Sequence, residues 1–402
     1  MSRIAKIEFA LAAILLFVLP TLESPKNIAF GLFVLTWSAH RLMSGDWRGW
    51  KLGGVDFVLL AMWLATLLST IVNWPYPNVT KGVVDTTRLT FTAWCIYRAG
   101  YGERERRWLV WALVTGVLPA LGVGVLELAT GKRHQLEFHS AGIITQSASY
   151  LAMVLVLVLG VLGLSDREAP RSAKIFWIVS AAAMSAGLFV MGSRGVLLAF
   201  FFVLVPLIFL FGRRWVWIVG ACVVFGGVFW YLSNHERFIH QWNKAMVMVG
   251  ETGFSEADQE RYTVWRITLA QVKQGESLLA GIGPRNFSTI DIHQLKLDPP
   301  IPAKTRTPPH AHNLFLNKLV EEGVIGLAAL LGLFGVVARQ LVRDYREGRH
   351  RSVYWIGALG ALVIPVIAGS FNTPFYQEHG MLAMSLFALY FSQTRAASVV
   401  HK

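Results

Sequence analysis

Long apolar runs separated by short polar stretches fill residues 1–232 and resume after residue 312. Runs such as 57–72 and 151–164 hold no charged residue at all. A helix crosses the hydrocarbon core with about 20 mostly apolar residues. Twelve segments approach or meet that length: 7–22, 28–40, 54–74, 82–98, 108–129, 143–164, 174–192, 195–211, 215–232, 314–338, 353–371 and 380–394. Segments 28–40 and 380–394 are short, which fits a tilted, shielded or incomplete crossing. The pattern predicts an all-α polytopic membrane protein of about twelve transmembrane helices. It divides into helices over 1–232, one hydrophilic loop over 233–311, and helices over 312–402.

Composition agrees. Hydrophobic residues make up 54% of the 402 residues and charged ones 15%, against about 25% charged in soluble domains. The net charge of +13 would suggest nucleic acid in a soluble protein. Here its distribution points to a membrane, because cytoplasmic loops collect Lys and Arg. With the N-terminus inside, basic residues cluster in the inner loops, for example at 104–107, 167–174 and 339–351. The short outer loops hold Lys26, Lys81, Lys132 and Arg133. Both termini are expected in the cytoplasm, with loop 233–311 outside. The first run lacks a small-residue cleavage signal and reads as a retained span. Cys95 and Cys222 lie in apolar segments and imply neither a disulfide framework nor a thiolate metal site.

The loop carries helical patterns. Over 235–250, Phe238, Ile239, Trp242, Met246 and Val249 fall near one face, as in an interfacial helix. Over 261–273, Tyr262, Trp265, Leu269 and Val272 form one stripe. Arg261 and Arg266 flank opposite edges of it, about 140° apart at 3.6 residues per turn. Gly281-Ile282-Gly283-Pro284-Arg285-Asn286 reads as a turn. Its N–H groups suit either a phosphate or plain turn hydrogen bonds, and no Lys-Ser/Thr follows to make it a phosphate loop.

His312 follows Pro308-Pro309-His310-Ala311 and precedes Asn313 and an apolar run. The prolines block a helix upstream, so one is expected to start near His312. The positive end of that helix, and nearby arginines, disfavour imidazolium. A neutral imidazole suits a general base; a capping or interfacial histidine fits the same spacing. Arg194, in Gly192-Ser193-Arg194-Gly195 between two spans, is either a functional cation or one that reaches the headgroups. Asp85 and Arg88, at i and i+3, suit an ion pair. Lys81 sits at the outer end of the same span, placed to meet a lipid phosphate or to anchor the helix. Glu378 and His379 are further polar candidates in an outer loop. His310 and His312 alternate with no carboxylate partner evident nearby, so no metal site is expected.

From Arg261 onward the chain resembles the O-antigen ligase and polymerase family of bacterial envelope glycosyltransferases. Arg261-Tyr262-Thr263-Val264-Trp265 matches an Arg-x-x-x-Trp helix. Leu278 to Pro284, then Phe287, matches the following Gly-x-Gly turn. His312-Asn313, then Gly323-Val324-Ile325-Gly326, matches a His-Asn helix, and Ser193-Arg194-Gly195 resembles an arginine that ends an earlier span. Arg266 and Arg285 lie outside the family pattern.

The resemblance implies an enzyme whose donor is an undecaprenyl-pyrophosphate-linked glycan. A ligase passes that glycan to lipid A–core oligosaccharide, a polymerase to another lipid-linked repeat, and a third relative to protein Ser or Thr. The short remaining outer loops and short C-terminal tail favour the ligase. His312 and Arg261 are then expected in catalysis, and Arg194, Arg261, Arg285 and Lys81 at the pyrophosphate. Asn313, Arg266, His310 and Glu378 are weaker candidates. No metal or other cofactor is implied, since arginines neutralise the leaving group. A transporter of a lipid-linked or soluble anion is the competing class.

Overall fold

The computed structural model describes residues 2–45, 51–140, 142–164, 170–212, 215–224, 226–227, 256–275, 278–298, 300, 307–373, 375 and 377–400. The helix expected over 235–250, with Trp242, lies outside them. Thirteen helices are named here in chain order: α1 (Arg3–Val18), α2 (Glu23–Ser44), α3 (Gly54–Val72), α4 (Val79–Arg98), α5 (Glu103–Ala129), α6 (Ile144–Leu164), α7 (Arg171–Met191), α8 (Arg194–Phe211), α9 (Trp215–Val224), α10 (Glu256–Gln274), α11 (Leu314–Arg346), α12 (Val353–Gly369) and α13 (Gln377–Val400). Each of the twelve apolar segments overlaps one of them, and α10 belongs to the loop.

Among the described residues, six helices, α3, α5, α6, α7, α8 and α11, are long and apolar enough to cross a membrane. The helix on segment 28–40 is longer than its apolar run, and two polar residues near its ends face inward. Lys26 near its start is buried against Glu378. His40 Nδ1 near its end lies 2.5 Å from the Glu8 carboxylate. Hydropathy reads such paired charges as solvent-exposed.

The bundle is organised around α6. Residues 147–160 of this helix are buried without a gap, as expected of a helix that is apolar on every side. It packs on α5, α7, α8, α12 and α13. Against α12 the backbones come close because small residues face large ones: a β-carbon on Gly360 would stand 2.8 Å from Val156 Cγ1. Around this centre α1 pairs with α2 and α5, α3 with α4 and α11, and α4 with α13.

The loop helix α10 packs on α11. Its buried face holds Val264, Ile267 and Ala270; Val264 and Ile267 join Phe287, Ile290, Ile292, Ala311 and Val320 in a second, smaller core. The stripe read from the sequence lies largely elsewhere. Tyr262 is 64% exposed and Leu269 45% exposed, with only Val272 packed against that core. The helix therefore has two apolar faces, one docked on the protein and one open.

Candidate active site

α11 is not continuous. Gly323 has φ 69° and ψ −168°, so the helix breaks within its first third. The break frees backbone groups that must be satisfied, and the Gly-rich turn satisfies them. Ile282 N donates to Val320 O at 3.0 Å and Gly283 N to Glu321 O at 2.9 Å. In return Val324 N donates to Leu278 O at 3.0 Å and Ile325 N to Leu279 O at 3.3 Å. A β-carbon on Gly281 would lie 2.4 Å from the Glu321 carbonyl carbon. The turn's N–H groups at Ile282 and Gly283 are thus committed to α11. Of the two readings of this turn, the structural one holds, with a specific partner.

The clasp is buttressed from α3 and α4. Ser69 Oγ donates to Glu321 O at 2.9 Å, and Asn73 Nδ2 donates to Gly281 O at 3.1 Å. Pro284 abuts Gly82 of α4. Arg285 follows immediately, with φ 62°, and its Nη2 stands 2.5 Å from Asp85 Oδ2. Arg88, the partner expected for Asp85, is 3.7 Å away. A residue some 200 positions later in the chain thus makes the shorter contact, because the turn delivers it across the helix end.

At the start of α11, Asn313 is the cap. Its Oδ1 accepts from Phe315 N and Leu316 N, both at 3.0 Å, the usual service of an N-cap side chain. Its Nδ2 donates to Ser370 O at the end of α12, at 3.1 Å. His312 is therefore one residue outside the helix, half-buried, with φ 49°. Asn317 fastens the approach to it, accepting from Ala311 N at 2.9 Å. The rings of His310 and His312 meet at a tilt of 56°, with centroids 4.4 Å apart. Burial, and secondarily the neighbouring His312, push the His310 imidazole down to about 4. Its Nε2 has no hydrogen-bond partner among the described residues. It is therefore neutral near pH 7 with a lone pair to offer.

These pieces surround a cavity of about 300 Å³. Lys81, Arg285 and His310 line it, as do Glu321 and Gln377. The described residues include three non-glycine positions with positive φ: Arg285, His312 and Gln377. Two line the cavity and the third is in ring contact with a residue that does. Such conformations cost about 1–3 kcal/mol each and gather where function requires them.

The other expected residues stand around this centre. Glu378 is buried behind Gln377, where its carboxylate meets Lys26. Arg194 opens α8, is exposed, and has no ion-pair partner among the described residues. The following Gly195 approaches Phe371, next to the Ser370 that Asn313 binds. Arg194 therefore shares this end of the bundle. Arg266 lies 6.0 Å from the Tyr262 ring, and Arg261 is half-buried on α10. Among the described residues, neither these two nor Arg194 lines the cavity.

Sequence reasoning passed over Glu321. It is 2% exposed, its Oε1 accepts from Phe287 N at 3.3 Å, and it lines the cavity. In sequence it is one of two glutamates in an amphipathic stretch, with nothing to mark it as inward-facing.

None of the curated proteins compared with the chain matches it significantly. Residues 179–331 match the family model described as O-antigen ligase. That span contains Ser193-Arg194-Gly195, the Arg261 helix, the Gly turn and the His312-to-Gly326 stretch. Over these residues the chain is similar to the O-antigen ligase family.

Proposed function

We propose that the protein transfers O-antigen polysaccharide from undecaprenyl pyrophosphate to lipid A–core oligosaccharide. The transfer would take place at the periplasmic face of the bacterial inner membrane. The observation that carries this reading is the cavity lined by Lys81, Arg285 and His310, with His312 in ring contact with His310.

An acceptor sugar hydroxyl attacks the donor's anomeric carbon. The bond from that carbon to the phosphate oxygen breaks, and undecaprenyl pyrophosphate leaves with the electron pair. The leaving group is already good, so the main requirement is charge neutralisation as the bond lengthens. Arg285 and Lys81 supply cations at the cavity wall. Arg194 and Arg261, on elements at the same end, extend the cationic surface toward the lipid. Guanidinium suits this work because it stays charged and grips two phosphate oxygens. His312 accepts the hydroxyl proton, and His310, neutral beside it, orients the acceptor. A single displacement inverts the anomeric configuration, and the cations do the neutralising without a metal.

The test uses purified protein with a pyrophosphate-linked glycan donor and a lipid A–core acceptor. Transfer without ATP is expected. His312→Ala should slow it about 10²–10⁴-fold, the usual worth of general-base help, while still binding donor. Near-normal transfer by that variant removes His312 as the base. In a strain lacking the protein, loss of long chains from lipopolysaccharide with accumulating lipid-linked polymer supports ligation. Single-repeat caps would indicate polymerisation instead.

A further inference from the structure

At the opposite end of the same helices lies a second, larger cavity of about 560 Å³. Gln146 at one end of α6 lines the candidate active site, and Leu164 at the other lines this cavity. At 1.5 Å per residue they stand about 27 Å apart, close to the thickness of a hydrocarbon core. This is also the end at which the sequence gathers its basic loops.

Three cations line the cavity: Arg107 from α5, Lys174 from α7 and Arg351 before α12. Among the described residues, Glu103 is the one carboxylate that lines it, and it is already engaged. Arg106 Nη2 donates to it at 2.9 Å, Arg107 Nε at 3.0 Å and the Tyr354 hydroxyl at 3.3 Å. Trp111, Trp177 and Tyr354 provide aromatic walls, residue types that settle at headgroup depth.

The cavity shares one wall residue with an apolar groove. Trp111 also lines a groove of about 420 Å³ between α1 and α5, with Phe9, Ile14, Phe17 and Trp108. Ile14, Phe17 and Trp108 are 49%, 41% and 56% exposed. A charged recess at the interface thus adjoins an apolar furrow running toward the membrane centre. A soluble anion has no use for the furrow, and a zwitterionic headgroup has little for the excess of cations.

We infer that this cavity and groove bind an anionic phospholipid of the leaflet opposite the candidate active site. The headgroup phosphate meets Arg107, Lys174 and Arg351, and an acyl chain lies along α1 and α5. The inference does not depend on the glycosyl-transfer reading.

The full-length protein is placed in nanodiscs of phosphatidylcholine with phosphatidylglycerol, then extracted into mild detergent, and the lipid that stays bound is quantified. Enrichment of phosphatidylglycerol over its bulk fraction is expected. Arg351→Gln, which breaks no ion pair among the described residues, should lower it about fivefold, the worth of one surface cation toward an anionic lipid. The variant R107Q/K174Q/R351Q should return it to the bulk ratio. Ile14→Trp, which fills the groove and keeps every cation, should also lower retention. Arg343→Gln, on the same face but outside the cavity, should change nothing. Enrichment that survives both R351Q and the triple variant overturns the proposal, as does an equal loss in R343Q. Binding of labelled inorganic phosphate that R351Q abolishes, without lipid enrichment, also overturns it, assigning the recess to a soluble anion.

Discussion

Gly323 sits so close to Leu279 that a β-carbon would lie 2.1 Å from the Leu279 carbonyl oxygen. Its φ of 69° is also one that side chains resist. Gly323→Ala should therefore part the turn from α11. The backbone conformation alone costs about 1–3 kcal/mol, and the collision adds to it. A lowered unfolding midpoint and lost transfer are expected. Gly332→Ala, nine residues on, is the comparison. Its new methyl would meet only Val58 Cγ1 at 3.9 Å, and its helix should hold or gain stability. Equal behaviour of the two variants, read by thermal unfolding in detergent, contradicts the clasp.

The Asp85–Arg285 pair should be energetically coupled. Asp85→Ala leaves Arg285 without its carboxylate at the cavity edge, and Arg285→Ala leaves Asp85 partly buried. A double-mutant cycle on unfolding should give an interaction of about 0.5–3 kcal/mol, typical of contacting residues. The Asp85→Asn enzyme should show a higher donor KM with a smaller change in kcat, because its cation is less well held. Additive single effects would mean that the two do not work together.

His310 gives the site a pH dependence with a defined sign. Its folded value, about 4, lies below the 6.5 of an unhindered imidazole. The folded state thus binds fewer protons than the unfolded state between these values. Stability from this residue is full above pH 6.5 and is lost as pH falls toward 4. Unfolding midpoints of the parent should drop across that window more steeply than those of His310→Gln. Parallel curves refute the assignment.

Glu378 is expected to serve structure more than chemistry. It is buried against Lys26, which also reaches Glu23 and Ser140 at 3.1 and 3.2 Å. Removing one member of a buried pair costs about 3–5 kcal/mol. Glu378→Gln should lower the unfolding midpoint while each folded molecule retains turnover. Intact stability with lost turnover would place Glu378 in the reaction instead.

The helices were legible because each apolar run had nowhere else to go than a buried or lipid-facing surface. Their ends were less so. α2 extends beyond residues 28–40, and its Lys26 and His40 are paired inward with Glu378 and Glu8 on other helices, which hydropathy along one segment does not show. The break in α11 was hidden, since Gly323 follows Glu321 and Glu322 inside an amphipathic stretch that reads as unbroken helix. At the site, His310, Arg285 and Lys81 were picked out by residue type and neighbours. Glu321, and Arg285 as the nearer partner of Asp85, were not. Spacing reveals neighbours on one helix, whereas these contacts arise from how the turn crosses two others.

The exchange of four backbone hydrogen bonds between residues 278–283 and 320–325 has a consequence for anyone recombining related sequences. The soluble loop and the helix after it are not separable modules. A chimera joined anywhere between them would pair a turn from one parent with a helix break from another, whose carbonyls need not coincide. Grafts that carry 278–326 as one block keep the donor and acceptor pattern intact, whereas those that exchange the loop alone inherit a mismatch at the seam.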